Sequence, residues 1–380
     1  MVRREVASRS RARQLRQAVD QFEGLRFRGC WIDSVEVEPS NELDVVERVA
    51  SSIRAAKGRQ ADVSETYLPG GSWETTLANE WRHYWDALRR DDISTVARYL
   101  RNFFRNEGIS GLWGDHAMYG TFCDADKLAR LNRAHVMVSH YRVWRECCPS
   151  AALETLDAPR VGNPWGFRFG DLLLYEPVFE YNYQAHYLDS LLRDMVAPVV
   201  VEIGGGFGGL AYHLLRCCPS VTYVGLDLPE QLLIQSYYLS CTFPDRKIFM
   251  YQADSPAIDA AALETYDVLL LPNYLLPELP PRMADAVVSI HSLAEMSANA
   301  MVETLRQVDR IGRLYFFHQS IYKERPGGRP GIPSSAFPPL QEFREVMACP
   351  TRWPKYDSQS SYPCWEHLLV HHDALSVPRD

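Results

Sequence analysis

One stretch constrains this chain more than any other: Val199-Val200-Val201-Glu202-Ile203-Gly204-Gly205-Gly206-Phe207-Gly208-Gly209-Leu210. A short apolar run rich in β-branched residues leads directly into five glycines within six positions, and an apolar helical pattern follows. A run of this length bounded by glycine reads as a buried strand. Glycine there permits positive φ and lets another molecule approach the backbone closely. The helix start behind it offers unpaired N–H groups to an anionic or polar ligand. Glycine at this density weakens a fold unless something uses the space, so the run implies a ligand-binding βα turn.

The sequence around that turn alternates. After Pro198, strand-like runs at Val199–Ile203, Val221–Leu226, Lys247–Gln252, Asp267–Pro272, Ala286–Ile290 and Arg313–His318 are separated by helical patterns at Gly208–Cys217, Pro229–Leu239 and Met301–Ile311. Such alternation indicates a parallel α/β sheet. Two late strands, near Trp353–Asp357 and Trp365–His371, would close it as an antiparallel hairpin, and the Pro/Gly-rich Tyr322–Pro339 is long enough for a lid. Residues 1 to about 150 read as helical: Leu77, Trp81, Trp85 and Leu88 form one stripe at three-to-four spacing, and Leu131, His135, Val138 and Arg142 another. Pro159–Gly170 reads as a connecting loop.

Composition narrows the partners. The chain has 380 residues, 46% hydrophobic and 23% charged, with a formal net charge of −8. That is an ordinary globular composition, and it argues against a nucleic-acid binder held by global charge. No run approaches the ~18 apolar residues of a spanning helix. The basic Met1–Arg16 lacks an apolar segment behind it, so no secretory signal is read. The nine cysteines include the adjacent pairs Cys147-Cys148 and Cys217-Cys218 and no Cys-x-x-Cys, which reads as reduced thiol of a cytoplasmic protein. The expected partner is a small-molecule substrate, with no nucleic acid and no membrane; a homodimer is left open.

Two cofactor classes use a glycine loop of this kind. Gly204-x-Gly206-x-x-Gly209 satisfies the dinucleotide pattern. Glu202-x-Gly204-x-Gly206-x-Gly208 satisfies the acidic-x-Gly-x-Gly-x-Gly pattern of S-adenosylmethionine-dependent methyltransferases, with an acid at the end of the first strand to suit a cationic ammonium. Both want an acid after the second strand for ribose hydroxyls, and Asp227 supplies it. The late hairpin, Glu202 and the position of the loop behind a helical region favour the methyltransferase reading. The expected fold is therefore α/β, a Rossmann-like class I methyltransferase sheet, mostly parallel with an antiparallel last strand. Its expected divisions are a mainly helical cap at 1–158, a connecting loop and helix at 159–195, and the S-adenosylmethionine-binding part at 196–380.

Glu202 to Tyr212, Tyr223-Val224-Gly225-Leu226-Asp227-Leu228-Pro229-Glu230, Leu232 to Leu239, Leu270-Leu271-Pro272 and His291-Ser292-Leu293-Ala294-Glu295-Met296 together resemble a bacterial sugar O-methyltransferase family over roughly residues 160–372. The resemblance implies methylation of sugar hydroxyls, typically deoxysugars on bacterial secondary metabolites. It also implies that Glu202, Gly204, Gly205, Gly206 and Gly208 line the methionine and ribose part, that Asp227 holds the ribose hydroxyls, and that Leu228 lies against the adenine. The acid expected after strand three has two candidates, Asp254 by chemistry and Asn273 by position. Tyr183, in the segment before the first strand, is the candidate contact for the cofactor carboxylate.

Methyl transfer is an in-line displacement at a sulfonium carbon, so the protein must mainly align the acceptor. A positioned base, most often His, helps a weakly nucleophilic hydroxyl. His291 stands at the end of strand four, where ligands of open α/β sheets sit, and Glu295 would share its face if a helical turn began there. The alternative is that His291 caps the next helix. His318 at the end of strand five is the second candidate base, and Gln319 beside it a candidate hydroxyl ligand. Asp115 and His116, within the aromatic Gly111–Tyr119 stretch, are candidate substrate contacts. No metal is expected, and the neighbours His371 and His372 would face opposite sides of a strand. The competing functions are methylation of a non-sugar oxygen or nitrogen, nicotinamide-dependent oxidoreduction, and a non-catalytic partner with this fold.

Overall fold

The structure is a computed structural model that describes residues 2–39, 41–70, 72–112, 116–322, 331–353 and 364–375. The first half is mainly helical: α1 (Val2–Asp20), α2 (Glu42–Gln60), α3 (Ser72–Asn79), α4 (Arg82–Arg89), α5 (Ile93–Arg101), α6 (Ala117–Asp124), α7 (Lys127–Cys147) and α8 (Val178–Leu192). It also carries a small antiparallel sheet of β1 (Phe27–Trp31), β2 (Gly166–Phe169) and β3 (Leu172–Leu174). The sheet corrects the loop expected at Pro159–Gly170. Its strand is only four residues long and opens on Gly166, where a Cβ would meet the Leu174 carbonyl, so the sequence shows punctuation where the chain pairs.

Among the described residues the second half is built on eight strands: β4 (Val199–Ile203), β5 (Thr222–Asp227), β6 (Ile248–Met250), β7 (Val268–Pro272), β8 (Ala284–Ile290), β9 (Gly312–Ile321), β10 (Phe343–Pro350) and β11 (Cys364–His371). Their order across the sheet is β10-β11-β9-β8-β4-β5-β7-β6. The strands from β4 to β9 pair in parallel, β11 lies antiparallel to β9, and β10 antiparallel to β11. This is the Rossmann-like sheet expected from the sequence, mostly parallel with an antiparallel last strand. Helices α9 (Gly209–Cys217), α10 (Pro229–Thr242), α11 (Ala260–Thr265) and α12 (Ala298–Ile311) connect the strands. Ile248–Met250 pairs outside Val268–Pro272, which itself pairs with β5. The strand beside β5 is therefore the one that Asn273 follows.

The hairpin partner of β11 is Phe343–Pro350 rather than Trp353–Asp357, of which 354–357 lie outside the described residues. The strand Phe-Arg-Glu-Val-Met-Ala-Cys-Pro is an edge with one face in water, and its register shifts between Glu345 and Met347. The shift breaks the period-two alternation by which a strand is recognised.

Parallel strands are covered on both faces and so read as continuous apolar runs. Val200 and Leu270 belong to one buried cluster, and Val201, Leu269 and Leu271 to the other, as alternation across a sheet requires. The first cluster extends without a break into the helical half. Phe207 of the glycine loop meets Phe104 edge-on at 5.2 Å and Tyr238 at 5.4 Å, so both halves of the chain hold the loop. Among the described residues no helix is long and apolar enough to cross a membrane.

Candidate active site

The strand ends place the site. Glu202 of β4 stands in register with Gly225 of β5 and Val288 of β8, and Asp227 closes β5 beside Pro272 of β7. The Gly204 N–H donates to the Leu226 carbonyl at 2.8 Å and carries the ladder into the loop. Because β4 pairs with β5 on one side and β8 on the other, the loop opens where the sheet changes direction, the usual ligand crevice of such sheets. Gly204 takes φ +79°, and a Cβ on it would collide with the Ser292 side chain. Gly206 takes φ +58°, and among the described residues a Cβ built there would meet only Leu112, at 3.6 Å.

Two adjoining hollows occupy this crevice. The larger, about 360 Å³, is bounded by Glu202, Gly204–Phe207, Asp227, His291, Glu295, Glu180 and Tyr181, among others. That lies within the ~300–1,000 Å³ of small-molecule sites. The smaller lies between Leu228 and Asn273 on one side and residues 66–70 and Trp73 on the other. Trp73, Gly204, Asp227, Ser292 and Glu295 border both.

The two sheet carboxylates are buried, Glu202 at 3% and Asp227 at 9% exposure. Burial pushes the Glu202 carboxyl up to about 7, partly offset by the Tyr223 hydroxyl, which donates to it at 2.5 Å. Burial likewise pushes Asp227 up to about 7, against the Gly206 and Leu228 N–H groups that donate to it at 3.0 and 2.8 Å. Each acid is thus costly to ionise by itself and sits where a neighbouring cation or hydroxyl favours its charged form.

His291 has φ +64°, uncommon for a residue with a side chain. Its N–H donates to the Gln319 carbonyl at 2.7 Å, and its Nδ1 lies 4.0 Å from the Cys364 sulfur. The left-handed turn interrupts any helix through this point. Leu293–Glu295 forms a separate single turn, so His291 and Glu295 do not share a helix face, although both border the larger hollow. Strained residues of this kind cluster at functional sites. The Trp73 indole N–H donates to Glu295 Oε2 at 3.0 Å.

The remaining candidates divide. Asn273 borders the smaller hollow; its amide donates to the Tyr67 carbonyl at 3.0 Å, and its Oδ1 is buried without a partner. Asp254 is exposed in the turn after β6, away from both hollows, because β6 pairs one strand further out. Gly205 borders the larger hollow, whereas Gly208, at φ +93°, starts α9 and packs against Leu239. Tyr183 is turned from the crevice and donates to Glu366 at 3.0 Å. Two residues on a helix are about 200° apart, so its neighbour Tyr181 faces the loop instead. His318 does not reach the crevice. It is stacked on His367 at 4.4 Å, and burial, with His367 beside it, holds it down at about 3. Adjacent Gln319 points to the other face and is fully enclosed, donating to Glu180 at 2.5 Å and accepting from Gln184 at 2.8 Å. Asp115 lies outside the described residues. His116 Nδ1 faces Ser110 at 3.2 Å and Glu80 at 3.3 Å, while Gly111 and Leu112 before it border the hollow.

Sequence reasoning missed Glu180, Trp73 and residues 66–70, and within the segment Tyr181–His186 it chose Tyr183 where the structure brings Tyr181 to the hollow. Only the one-turn spacing from Pro177 to Glu180 and Tyr181 on a helix hinted at those two.

No family model matches the chain, and no curated protein matches it. Solved structures do. Magnesium protoporphyrin IX methyltransferase (ChlM) from Synechocystis PCC 6803, with bound S-adenosylhomocysteine, is 12% identical with a TM-score of 0.32 over 63% of this chain and 98% of its own. The N-methyltransferase NodS from Bradyrhizobium japonicum WM9, also with S-adenosylhomocysteine, is 11% identical with a TM-score of 0.34 over 51% and 86%. The PH0226 protein from Pyrococcus horikoshii OT3 is 12% identical with a TM-score of 0.34 over 50% and 91%.

Proposed function

We propose that this chain is an S-adenosylmethionine-dependent methyltransferase that methylates a hydroxyl of a sugar, typically a deoxysugar of a bacterial secondary metabolite. One observation carries the cofactor reading: Glu202 and Asp227, at the ends of adjacent strands, border one cavity with Gly204, Gly205 and Gly206 between them. A buried carboxylate suits the ammonium of the methionine part, and another suits the ribose hydroxyls. Asn273 Oδ1, an acceptor without a partner in the smaller hollow, suits an adenine amino group, with Leu228 against the ring. When bound, the cofactor supplies a methyl group on a sulfonium, already a good electrophile. The protein's own work is then alignment and proton removal. His291 stands at the border of the larger hollow as the base for the acceptor hydroxyl, with Glu180 and Glu295 as hydroxyl acceptors.

The sugar as acceptor rests on the resemblance of the segments around the loop. An amine acceptor is the second reading, favoured by one feature: the described residues around the larger hollow include four carboxylates and no Lys or Arg.

Calorimetric titration with S-adenosylmethionine, S-adenosylhomocysteine and NADH tests the cofactor. Binding of the two adenosyl compounds, weakened in Asp227→Ala, is expected; binding of NADH alone would overturn the reading. A screen of deoxysugar glycosides beside their amino-sugar counterparts, read by S-adenosylhomocysteine release, separates the two acceptors.

A further inference from the structure

Helix α10 carries two enclosed glutamines one turn apart, Gln231 at 1% and Gln235 at 0% exposure. Gln235 lies under the glycine loop. Its Nε2 donates to the Tyr223 hydroxyl at 3.1 Å, and its Cγ would be 3.4 Å from a Cβ on Gly208. Gln231 sits about 6 Å nearer the helix start, four residues after Asp227, and borders the larger hollow with Gly206 and Asp227. There neither its Nε2 nor its Oε1 has a hydrogen-bond partner. The Gly206 and Leu228 N–H groups both go to Asp227.

Native proteins leave few buried polar groups unmet. An amide lacking both a donor and an acceptor is matched by hydroxyl groups, which supply both. Asp227, an acceptor only when ionised, can take hydrogens from a diol but cannot donate to it. We propose that Gln231 is a second ribose contact, its amide turning onto the diol that Asp227 holds, so that the ligand-free protein carries an unmet amide which the ligand satisfies. The proposal rests on the adenosyl reading above.

The test compares the full chain with Gln231→Met, which keeps the length of the side chain and removes its polar atoms. S-Adenosylhomocysteine and its 2′-deoxy and 3′-deoxy counterparts are titrated by calorimetry, and ligand-free unfolding is followed thermally. The expected result has three parts. S-Adenosylhomocysteine binds Gln231→Met about ten- to a hundred-fold more weakly. Ligand-free Tm rises by about 2 °C, because an unmet polar group has gone. At least one deoxy ligand loses affinity for the unsubstituted protein and little more for the variant. Affinity within about twofold of the unsubstituted protein, or equal deoxy penalties in both, would overturn the ribose contact and leave the adenosyl reading standing. Failure of the unsubstituted protein to bind S-adenosylhomocysteine would overturn the adenosyl reading, and this inference with it. Should Gln231→Met not fold, Gln231→Leu, which also removes the polar atoms, is read by the same criteria.

Discussion

The two sides of the crevice are built differently. The side formed by β4, β5 and the glycine loop comes from 29 consecutive residues, Val199 to Asp227, and its carboxylates are steadied by near neighbours: Tyr223 for Glu202, and Gly206 and Leu228 for Asp227. The opposite side is assembled from distant segments. Glu180 of α8 is steadied by Gln319 of β9, and Glu295 by Trp73 from the helical half. A strand–turn–helix unit sets its own geometry through local hydrogen bonds and left-handed glycines. A wall made of side chains from separate elements exists only once those elements have packed. The first side therefore takes its hydrogen-bond geometry from its own residues, with Phe104 of the helical half packed on Phe207, whereas the second depends throughout on separate elements meeting.

This contrast can be broken at its strongest point with His291. His291→Ala is expected to lower turnover by about 10²–10⁴-fold while S-adenosylhomocysteine affinity, read by calorimetry, stays unchanged; equal turnover would remove His291 from the chemistry. Asp227→Ala strikes the opposite side. Losing hydrogen bonds to a charged group at about 1.5–3 kcal/mol each should weaken cofactor affinity by about a hundred-fold, and a change under about threefold would sink the assignment.

Acidity sharpens the comparison further. Glu202 is held up to about 7 in the ligand-free protein, and a bound ammonium favours its ionised form. Affinity for S-adenosylhomocysteine should be low below that value, rise by up to tenfold per pH unit towards it, and level off above. Glu202→Gln should leave only the shallower dependence of Asp227, also held up to about 7; an unchanged profile would remove Glu202 from the titration.

The two faces of α8 give a smaller contrast. Tyr183→Phe takes a donor from buried Glu366, so thermal unfolding should show about 1–3 kcal/mol of lost stability, with ligand affinity unaltered. Tyr181→Leu should show the reverse balance, since Tyr181 packs beside the loop. The least change is expected at His318, whose imidazole is held below its usual range at about 3 by burial. For such a base the unfolded chain binds more protons between about pH 3 and 6.5, so its contribution to stability is full above 6.5 and is lost as pH falls. His318→Phe should leave turnover intact and reduce the loss of stability on acidification.

Much of this was legible beforehand because it is local. The run from Val199 to Leu210 contains its own strand, turn and helix start, and Asp227 follows a strand whose apolar residues are unmistakable. The edge strand Phe343–Pro350 was not legible, since a register shift and a solvated face hide its period. His318 and Gln319 were read alike at one strand end, yet adjacent strand residues face opposite sides of the sheet. One is packed against His367 and the other braces Glu180. Asp254 and Asn273 could not be ranked until pairing showed that β7, not β6, lies beside β5.

By itself the sequence determined the α/β alternation, the glycine turn between two acids, and the strand end that carries His291. These follow from backbone preferences and from apolar periods a few residues long. Only the tertiary structure decided which side chains share the crevice with them. Glu180, Tyr181 and Trp73 arrive by packing from outside the strand–turn–helix unit, Gln231 by the docking of α10 under the loop, and burial, a property of the assembled protein, sets the acidity of Glu202 and Asp227.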